Sequence, residues 1–232
     1  AESTLIVTGA EVGRDVESLS VDDQALNQDR VKAPRPDQPE RQLISCGAPM
    51  PGLEVVVVNP RTLRRLDGDQ VGEILVRGES VADGYWNNPR ATREAFQVFL
   101  PKEDGGTGPY MRTGDLGFFR NGQLYVCGRS KELIIIRGRN YYPQDIERAV
   151  DGVHPALRTG CLAAFGLNEG NEEKVGLIAE VREPRGTNFD DVVQAIRRAV
   201  SEKIQVKVHC IGLVPKDGVP KTSSGKIQRR LS

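Results

Sequence analysis

The stretch from Tyr110 to Glu147 constrains the fold most, because it alternates short apolar runs with polar turns. Two apolar segments between Gly117 and Val126 flank the dipeptide Asn121-Gly122. Asn-Gly in this setting is typical of a two-residue β-hairpin turn, since both turn positions need a positive φ angle. A further apolar run, Leu133 to Ile136, predicts a short buried strand. The stretch therefore predicts a hairpin followed by more strand structure.

Polar residues interrupt this stretch at three places. Thr113-Gly114-Asp115 predicts a tight turn, and the Asp115 carboxylate could accept two hydrogen bonds from a ribose diol. An aspartate that bonds its own backbone is the commoner explanation for such a tripeptide taken alone. The apolar pattern breaks at Arg129 to Lys131, which predicts a domain boundary there. Arg137 to Asn140 predicts a polar loop, and Tyr142-Pro143 then begins a helix, because proline is tolerated in a first helical turn.

The segment after Glu147 predicts a compact α/β unit. Ile146 and Val150 mark one helix face, and the alternation between Val175 and Val181 predicts a half-buried strand. Asn188 can cap a second helix, whose apolar stripe starts at Val192.

Length and charge limit the classes of function. The chain has 232 residues, which suits one large or two small domains, and its 32 basic and 32 acidic residues cancel. This balance argues against a general electrostatic grip on nucleic acid or an anionic membrane. No apolar run approaches the ~18 residues of a membrane helix. The cysteines form no CxxC pair, so neither a metal site nor a disulfide framework is predicted, and most are expected to be small buried hydrophobic residues. They are Cys46, Cys127, Cys161 and Cys210.

Four segments in order resemble core motifs of the adenylate-forming superfamily, which includes acyl-CoA synthetases, peptide-synthetase adenylation domains and luciferases. They are VGEILVRGESVADGYWNNP (71–89), the stretch from Tyr110 through the Arg-Ser-Lys joint, RGRNYYPQDIE (137–147) and PKTSSGK (220–226). RGRNYYPQDIE is similar in particular to the fatty acyl-AMP ligases. The first residues resemble the end of another motif of this family, so we expect the upstream part of the same adenylation domain to be missing and this chain alone to be inactive.

The resemblance implies a mixed α/β fold. Residues 1–128 would be the C-terminal part of the large adenylation domain. This part would include a β-barrel-like subdomain of the adenylation core, with Trp86 in its interior, and 129–232 would be a small α/β C-terminal lid. The polar segment of about 8–42, with one weakly helical piece from Val21 to Asn27, overlaps the place where fatty acyl-AMP ligases carry an insertion. From its composition alone this segment is a surface insertion or linker.

The resemblance also implies roles for residues around the predicted boundary. ATP and Mg²⁺ would be the cofactors, Asp115 would bind the ribose hydroxyls, Arg129 would join it, and Val126 would pack near the nucleoside. Ser130 and Lys131 would form the hinge.

Three further roles follow from the same resemblance. Lys226 would be the catalytic lysine at the α-phosphate, although from the residues alone it belongs to a solvated, flexible tail. Glu2 would hold Mg²⁺ on the ATP phosphates, although it is otherwise only a charged terminal residue. Gly138, Arg139 and Asn140 would form the loop that enters the site during thiolation.

The implied activity is cytoplasmic formation of acyl-AMP from a fatty acid, followed by transfer to a holo acyl carrier protein or polyketide synthase module. Two alternatives remain open. One is a part of a fatty acyl-CoA ligase, which a basic surface for the CoA 3′-phosphate would support. The other is a non-catalytic, adenylation-like binding module.

Overall fold

A computed structural model of the chain describes residues 2–13, 15–170, 172–183 and 185–231, with only the backbone of Arg230. The chain divides into two compact units, unit 1 (residues 1–131) and unit 2 (residues 132–232). The division falls at the end of the segment predicted as the hinge, and each unit contains its own apolar core.

Unit 1 is built mainly from antiparallel strands. Its elements are β1 (Thr8–Gly9), β2 (Ser18–Asp22), α1 (Asp23–Leu26), β3 (Glu40–Ile44), β4 (Ala48–Pro49), β5 (Leu53–Val58), β6 (Gly72–Gly78), α2 (Pro89–Phe96), β7 (Met111–Arg120) and β8 (Gln123–Arg129). Strands β5, β6, β7 and β8 form one sheet in that order, while β1 pairs with β4 and β2 with β3. Among the described residues no sheet closes on itself, so the predicted barrel-like subdomain is a set of open sheets within a mixed α/β fold.

β-branched residues, which favour strands, are concentrated in the first two strands of the four-stranded sheet, β5 and β6. Val57, Ile74 and Val76 are buried and pack with Phe96 of α2. The hairpin between β7 and β8 turns at Asn121 and Gly122, which have φ angles of 52° and 77°. This confirms the predicted two-residue turn and fixes the register of the strands that carry Asp115 and Arg129.

The polar segment from Thr8 to Gln42 is more ordered than a linker. Its strand β2 pairs with β3, and Val21, Leu26 and Val31 are buried. The segment also joins the rest of unit 1 through its backbone, because the Val31 amide donates to the Asp69 carbonyl at 2.7 Å. Its composition predicted a surface insertion or linker. The linker alternative is wrong, because a few apolar residues spaced through a polar sequence are enough to attach the segment to the rest of unit 1.

Two predictions of burial are also wrong, one for Trp86 of unit 1 and one for the cysteines. Trp86 is 98% exposed, and its neighbour Tyr85 makes the aromatic contact instead, edge-to-face with Phe96 at a centroid distance of 5.1 Å. Asn87 has a φ of 52°, so this is an irregular loop that directs the indole outward. The cysteines are mostly not core residues either, since only Cys161, in unit 2, is buried.

Unit 2 is a three-stranded sheet covered by two helices, with a small hairpin before it. Its elements are β9 (Ile134–Ile136), β10 (Arg139–Tyr141), α3 (Pro143–Val150), β11 (Leu157–Glu169), β12 (Glu172–Val181), α4 (Phe189–Ile204) and β13 (Val208–Val214). The sheet order is β11-β12-β13, antiparallel and then parallel. Helix α4 makes the crossover that a parallel pair requires.

The predicted helices of unit 2 are confirmed. Ile146 and Val150 of α3 are fully buried, and the Asn188 side chain caps α4 by accepting from the Asp190 amide at 3.2 Å. The apolar faces of α3 and α4 pack against the alternating buried residues of β12. Together these side chains form the apolar core of unit 2. At 16 residues, α4 is the longest helix among the described parts of the chain, and none of those helices is long and apolar enough to span a membrane.

The residues before α3 differ from their prediction. Leu133 to Ile136 was expected to be wholly buried, but within β9 only Ile134 is buried, and Ile135 is 49% exposed. Arg139 and Asn140 were expected in a loop and instead lie in β10. The turn contains only Arg137 and Gly138, with φ angles of 50° and 74°. Two residues with positive φ complete a hairpin turn, so the chain reverses sooner than its polar composition suggests.

Candidate functional site

Three predicted nucleotide-site residues lie on one face of the β7–β8 hairpin. Asp115 is paired with Arg129 across the two strands, and Val126 is paired with Gly117. Paired residues of antiparallel strands share a face, and so do residues two apart on one strand. Asp115, Arg129 and Val126 therefore point to the same side, while Leu116 between them is buried on the other.

Asp115 and Arg129 form a charged hydrogen bond at this face. Arg129 Nε donates to Asp115 Oδ1 at 2.8 Å, and the two side chains remain 59% and 35% exposed for Arg129 and Asp115, respectively. A carboxylate has about four lone-pair positions, so this contact leaves acceptor capacity on Asp115. Val126 is exposed beside the pair. The face thus offers an oriented carboxylate, a guanidinium and an apolar side chain.

The local sequence explains how Asp115 is held. Gly114 has a φ of 74°, which an L-residue adopts at a cost, and Thr113 Oγ1 accepts from the Asp115 amide at 3.0 Å. The same hydroxyl donates to the Ile74 carbonyl of β6 at 2.8 Å. Thr113 therefore ties the turn to the neighbouring strand, and the Asp115 carboxylate does not have to bond this backbone amide.

Glu2 lies at a different place in unit 1. Its carbonyl accepts from the Ala82 amide at 2.8 Å, and its exposed carboxylate accepts from the Tyr85 hydroxyl at 3.2 Å. Hydrogen bonds, first that of its own backbone amide and then others that include Tyr85, lower the pKa of the Glu2 carboxyl below its ordinary value. Ser3 and Thr4 add contacts to Ser80. The residue is thus an anchored, ionised carboxylate.

The predicted hinge residues, Ser130 and Lys131, are exposed and lie in a single 3₁₀ turn, Ser130–Glu132, which follows β8 directly. The predicted thiolation residues lie in unit 2. Gly138 is at the tip of the β9–β10 hairpin, where Arg139 is exposed and Asn140 is buried.

Lys226 lies in a closed turn near the C-terminal end of unit 2. The Thr222 amide donates to the Lys226 carbonyl at 2.8 Å, and Thr222 Oγ1 accepts from the Lys226 amide at 3.0 Å. Lys221 and Ile227 form an antiparallel bridge at the base of the turn. Backbone and hydroxyl hydrogen bonds within the motif thus close the segment that, from its residues alone, would be a solvated tail. The Lys226 side chain is exposed and has no ion pair or hydrogen bond among the described residues.

A groove of about 690 Å³ lies beside the β9–β10 hairpin, within unit 2. Its charged residues are Arg137, Arg139, Glu172, Glu173, Lys174, Lys207 and His209. Glu173 Oε2 is engaged by the Ile135 amide at 2.7 Å, and Lys174 pairs with Glu169. The lining holds four basic side chains, of Arg and Lys, against the two carboxylates, so the groove carries a net positive charge. Among the described residues, no ion pair engages Arg137, Arg139 or Lys207.

Sequence reasoning missed the ion pairs that hold the Lys226 turn. Arg229 contacts Glu147 and Glu132, and Glu180 accepts from the Val219 amide and pairs with Arg158. The two residues of each contact are 22 to 97 positions apart in sequence. The available signal was the position of Arg229, three residues after Lys226 and just beyond the PKTSSGK motif.

Comparison with known proteins agrees with this architecture. Residues 24–86 match the AMP-binding enzyme family, a match that begins inside the segment expected to be an insertion, and residues 131–231 match the AMP domain of Disco-interacting protein 2-like proteins. The chain is 43% identical to the medium-chain fatty acid–[acyl-carrier-protein] ligase JamA of Moorena producens, over 99% of this chain and 39% of the relative.

Two further comparisons give the same picture. The long-chain fatty acid–AMP ligase FadD26 of Mycobacterium marinum is 35% identical over 99% of this chain and 40% of its own length. A solved structure from a study of fatty acyl-adenylate ligases of E. coli and L. pneumophila superposes with a TM-score of 0.83 and 30% identity, covering 98% of this chain and 39% of that one. The chain thus spans about 40% of the length of these curated relatives.

The matches run along nearly the whole chain and include both units. They agree with the motif order and with the mixed α/β fold. This chain therefore belongs to the AMP-binding family of adenylate-forming enzymes.

Proposed function

We propose that the protein containing this chain activates a fatty acid with ATP to acyl-AMP and transfers the acyl group to the phosphopantetheine thiol of an acyl carrier protein. The observation that carries this proposal is the oriented Asp115–Arg129 pair beside exposed Val126, in a chain 43% identical to a fatty acid–carrier protein ligase. The partner could be a free carrier protein or a domain of a polyketide synthase module.

In the first half-reaction, a carboxylate oxygen of the fatty acid attacks the α-phosphorus of ATP. The bond from that phosphorus to the bridging oxygen breaks, and pyrophosphate leaves. Asp115 accepts hydrogen bonds from the ribose hydroxyls, Arg129 keeps the carboxylate oriented, and Val126 packs near the nucleoside. The exposed ammonium of Lys226 stabilises the negative charge at the α-phosphate and the acyl carboxylate.

Magnesium fits the donor set only in a limited way. The described residues contain no group of three or more carboxylate, histidine or cysteine ligands, whereas Glu2 is an ionised and exposed carboxylate. Mg²⁺ is commonly held by one or two carboxylates together with substrate phosphates and water. Glu2 can supply one such oxygen to Mg²⁺ bound on ATP, and the ion would neutralise phosphate charge.

In the second half-reaction, the thiol sulfur attacks the acyl carbon, the carbon–oxygen bond to phosphate breaks, and AMP leaves with the acyl-oxygen electron pair. The thiol proton passes to solvent or to the departing phosphate. We assign the β9–β10 hairpin, with Gly138 at its tip and Arg139 and Asn140 following, to this step. Ser130 and Lys131 are the hinge about which unit 2 (the lid) exchanges Lys226 for this hairpin.

An acyl-CoA ligase is the second candidate function, and the basic groove is the observation that favours it. Arg137, Arg139 and Lys207 are uncompensated among the described residues and could attract the phosphates of CoA. The same charge could attract an acidic carrier protein, so the groove alone does not separate the acceptors. A non-catalytic module is supported less well, because Asp115, Arg129 and Lys226 are all present and two of them are already paired.

The test uses the complete protein, including the part that precedes this chain in its relatives. It is supplied with a fatty acid, Mg·ATP, CoA and holo carrier protein together, and the products are resolved by mass spectrometry. Acyl-AMP and acylated carrier without acyl-CoA support the proposal. Abundant acyl-CoA would transfer the protein to the second candidate, and the absence of any adenylate would favour the binding module. The apo carrier protein, which lacks the thiol, is the matched control.

A further inference from the structure

The turn that carries Lys226 is held at both ends by buried charges. At its C-terminal end, Arg229 Nε and Nη2 donate to the two carboxylate oxygens of Glu147 at 2.7 and 2.8 Å. Arg229 Nη1 donates to Glu132 Oε2 at 2.7 Å. The three nitrogens of one guanidinium are thus all engaged, and the side chain is only 14% exposed. A planar fork of donors is the geometry in which arginine binds carboxylates most specifically.

The partner of Arg229 is itself fixed. Glu147 lies on α3, and its Oε1 also accepts from the Ala164 amide of β11 at 3.0 Å. One carboxylate therefore connects the helix, the sheet and the segment just after Lys226. Glu132, the other partner, is the first residue of unit 2 and follows the predicted hinge residue Lys131 directly.

The N-terminal end of the turn is fastened independently. The Val219 amide donates to Glu180 Oε1 at 3.1 Å, and Lys221 Nζ donates to Cys161 Sγ at 3.0 Å. Cys161 and Glu180 belong to adjacent strands of the central sheet, β11 and β12. Residues 222–226, between the two anchors, have a partly or fully exposed surface. The exposed turn is therefore short and its two bases are separately secured.

We propose that Arg229 is a positioning residue for Lys226, which clamps the turn to α3 and to the start of unit 2 so that the lysine moves with that unit as one body. The proposal rests on the function proposed above. A lysine on a free tail would be delivered to many positions, whereas transition-state stabilisation needs the charge at one of them. Arg229 does not touch the reacting atoms in this role. It fixes the base from which the lysine side chain extends.

The first test separates positioning from general damage by measuring the half-reactions of the complete protein. We expect Arg229→Ala to slow acyl-AMP formation by roughly 10- to 100-fold, the size of effect produced by a misplacement of about 1 Å. Thioester formation from supplied acyl-AMP, which does not use Lys226, should keep its wild-type rate. Arg229→Lys keeps the positive charge but not the planar fork of donors. Its loss of acyl-AMP formation should therefore be smaller than that of Arg229→Ala. Equal loss in both half-reactions, or full adenylation activity, overturns the proposal.

The second test does not depend on activity. Hydrogen exchange in the 232-residue chain is measured at the amides of Thr222, Gly225 and Lys226. Arg229→Ala should accelerate these amides and leave those of α4 protected. Arg197→Ala is the matched control, because it removes another partly buried guanidinium of unit 2, which donates to the Val208 carbonyl at 2.6 Å and does not touch the turn. Unchanged exchange in Arg229→Ala overturns the clamp.

Failure of the proposed function and failure of the Arg229 clamp give different results. If the wild-type complete protein forms no acyl-AMP, the proposed function fails, while the exchange experiment still decides whether Arg229 holds the turn. If Arg229→Ala does not fold, Glu132→Gln removes one charge and leaves the Glu147 contacts intact. It should produce the same pattern with a smaller acceleration, and exchange identical to the wild type would overturn the clamp.

Discussion

At the scale of single residues, the exposed ammonium of Lys226 is the group whose removal should divide the two half-reactions. We expect Lys226→Ala to lower the rate of acyl-AMP formation in the complete protein by roughly 100- to 1,000-fold, as removal of one preorganised charge-stabilising donor does elsewhere. Thioester formation from supplied acyl-AMP should continue. Single-turnover assays of each step measure this, with Lys216→Ala as a control at another exposed lysine. Equal loss of both steps would contradict the assigned role.

Glu180 provides a residue-scale prediction about pH. Its carboxylate is 1% exposed, and although burial alone raises its pKa, hydrogen bonds from the Val219 and Asp217 amides and the charges of Arg158 and Lys221 lower it below 4.5. A carboxyl whose pKa is lower in the folded state stabilises that state above the unfolded pKa. This contribution disappears as the pH falls through the folded pKa.

The expected result is a difference that depends on pH. Glu180→Gln should lower the free energy of unfolding by about 2 kcal/mol at pH 7, because it removes the charged contact with Arg158. The difference in the free energy of unfolding between Glu180→Gln and the wild type should shrink as the pH falls below 4.5. Calorimetry across this range measures the difference, with Glu202→Gln on the exposed face of α4 as the control substitution. A gap that does not change with pH would rule out this linkage.

At the scale of elements, the β2–α1–β3 segment should contribute to the stability of unit 1. Arg41, 9% exposed, donates from Nε to Asp23 Oδ1 at 2.8 Å and from Nη2 to Asn27 Oδ1 at 3.3 Å. Arg41→Ala leaves a mostly buried carboxylate without its charge partner, and we expect a loss of about 3 kcal/mol of stability. Urea unfolding tests this. Arg90→Ala removes an exposed helical pair with Glu94 and should change nothing measurable. Equal effects would show that the segment is only attached loosely.

The individual elements also show which parts of the fold could be predicted from the sequence. The β7–β8 hairpin was predictable, because Asn121-Gly122 specifies a turn through local backbone sterics alone. Helix α4 was predictable, because its cap and its stripe are both local patterns. The pairing of β2 with β3 was not, since it depends on partners about 20 residues away and on three buried apolar residues in a polar segment. The same holds for Trp86, whose size predicts burial while its loop excludes it from the core.

The residues of the candidate site also divide into those that the sequence predicted and those that it did not. Asp115, Arg129 and Lys226 were found because motifs keep them at fixed positions in the chain, and the hairpin register then places the first two side by side. Arg229, Glu147 and Glu180 were not found, because each acts through a partner brought near only by the tertiary fold. The residues that we propose to contact substrate are thus marked by local sequence, while the residues that hold them are marked by packing.

At the scale of the whole molecule, the division at residue 131 predicts that unit 2 folds by itself. Its core joins residues of α3, α4 and the three-stranded sheet, and every member of that buried cluster comes from 134–208. A unit of about 100 residues with its own core is large enough for independent folding. Residues 132–232 produced alone should therefore give dispersed amide resonances and one cooperative unfolding transition.

A matched pair of isoleucines tests whether this core is the source of that stability. Ile196 of α4 is fully buried and Ile135 of β9 is 49% exposed, so the same substitution removes the same atoms from two environments. Ile196→Ala should cost about 3 kcal/mol in urea unfolding of residues 132–232, and Ile135→Ala much less. Similar losses would mean that the buried cluster is not the source of this stability. The absence of a cooperative transition would mean that unit 2 depends on unit 1. A hinged exchange of Lys226 for the β9–β10 hairpin would then be excluded, because a lid can rotate as a body only if its own core holds it together.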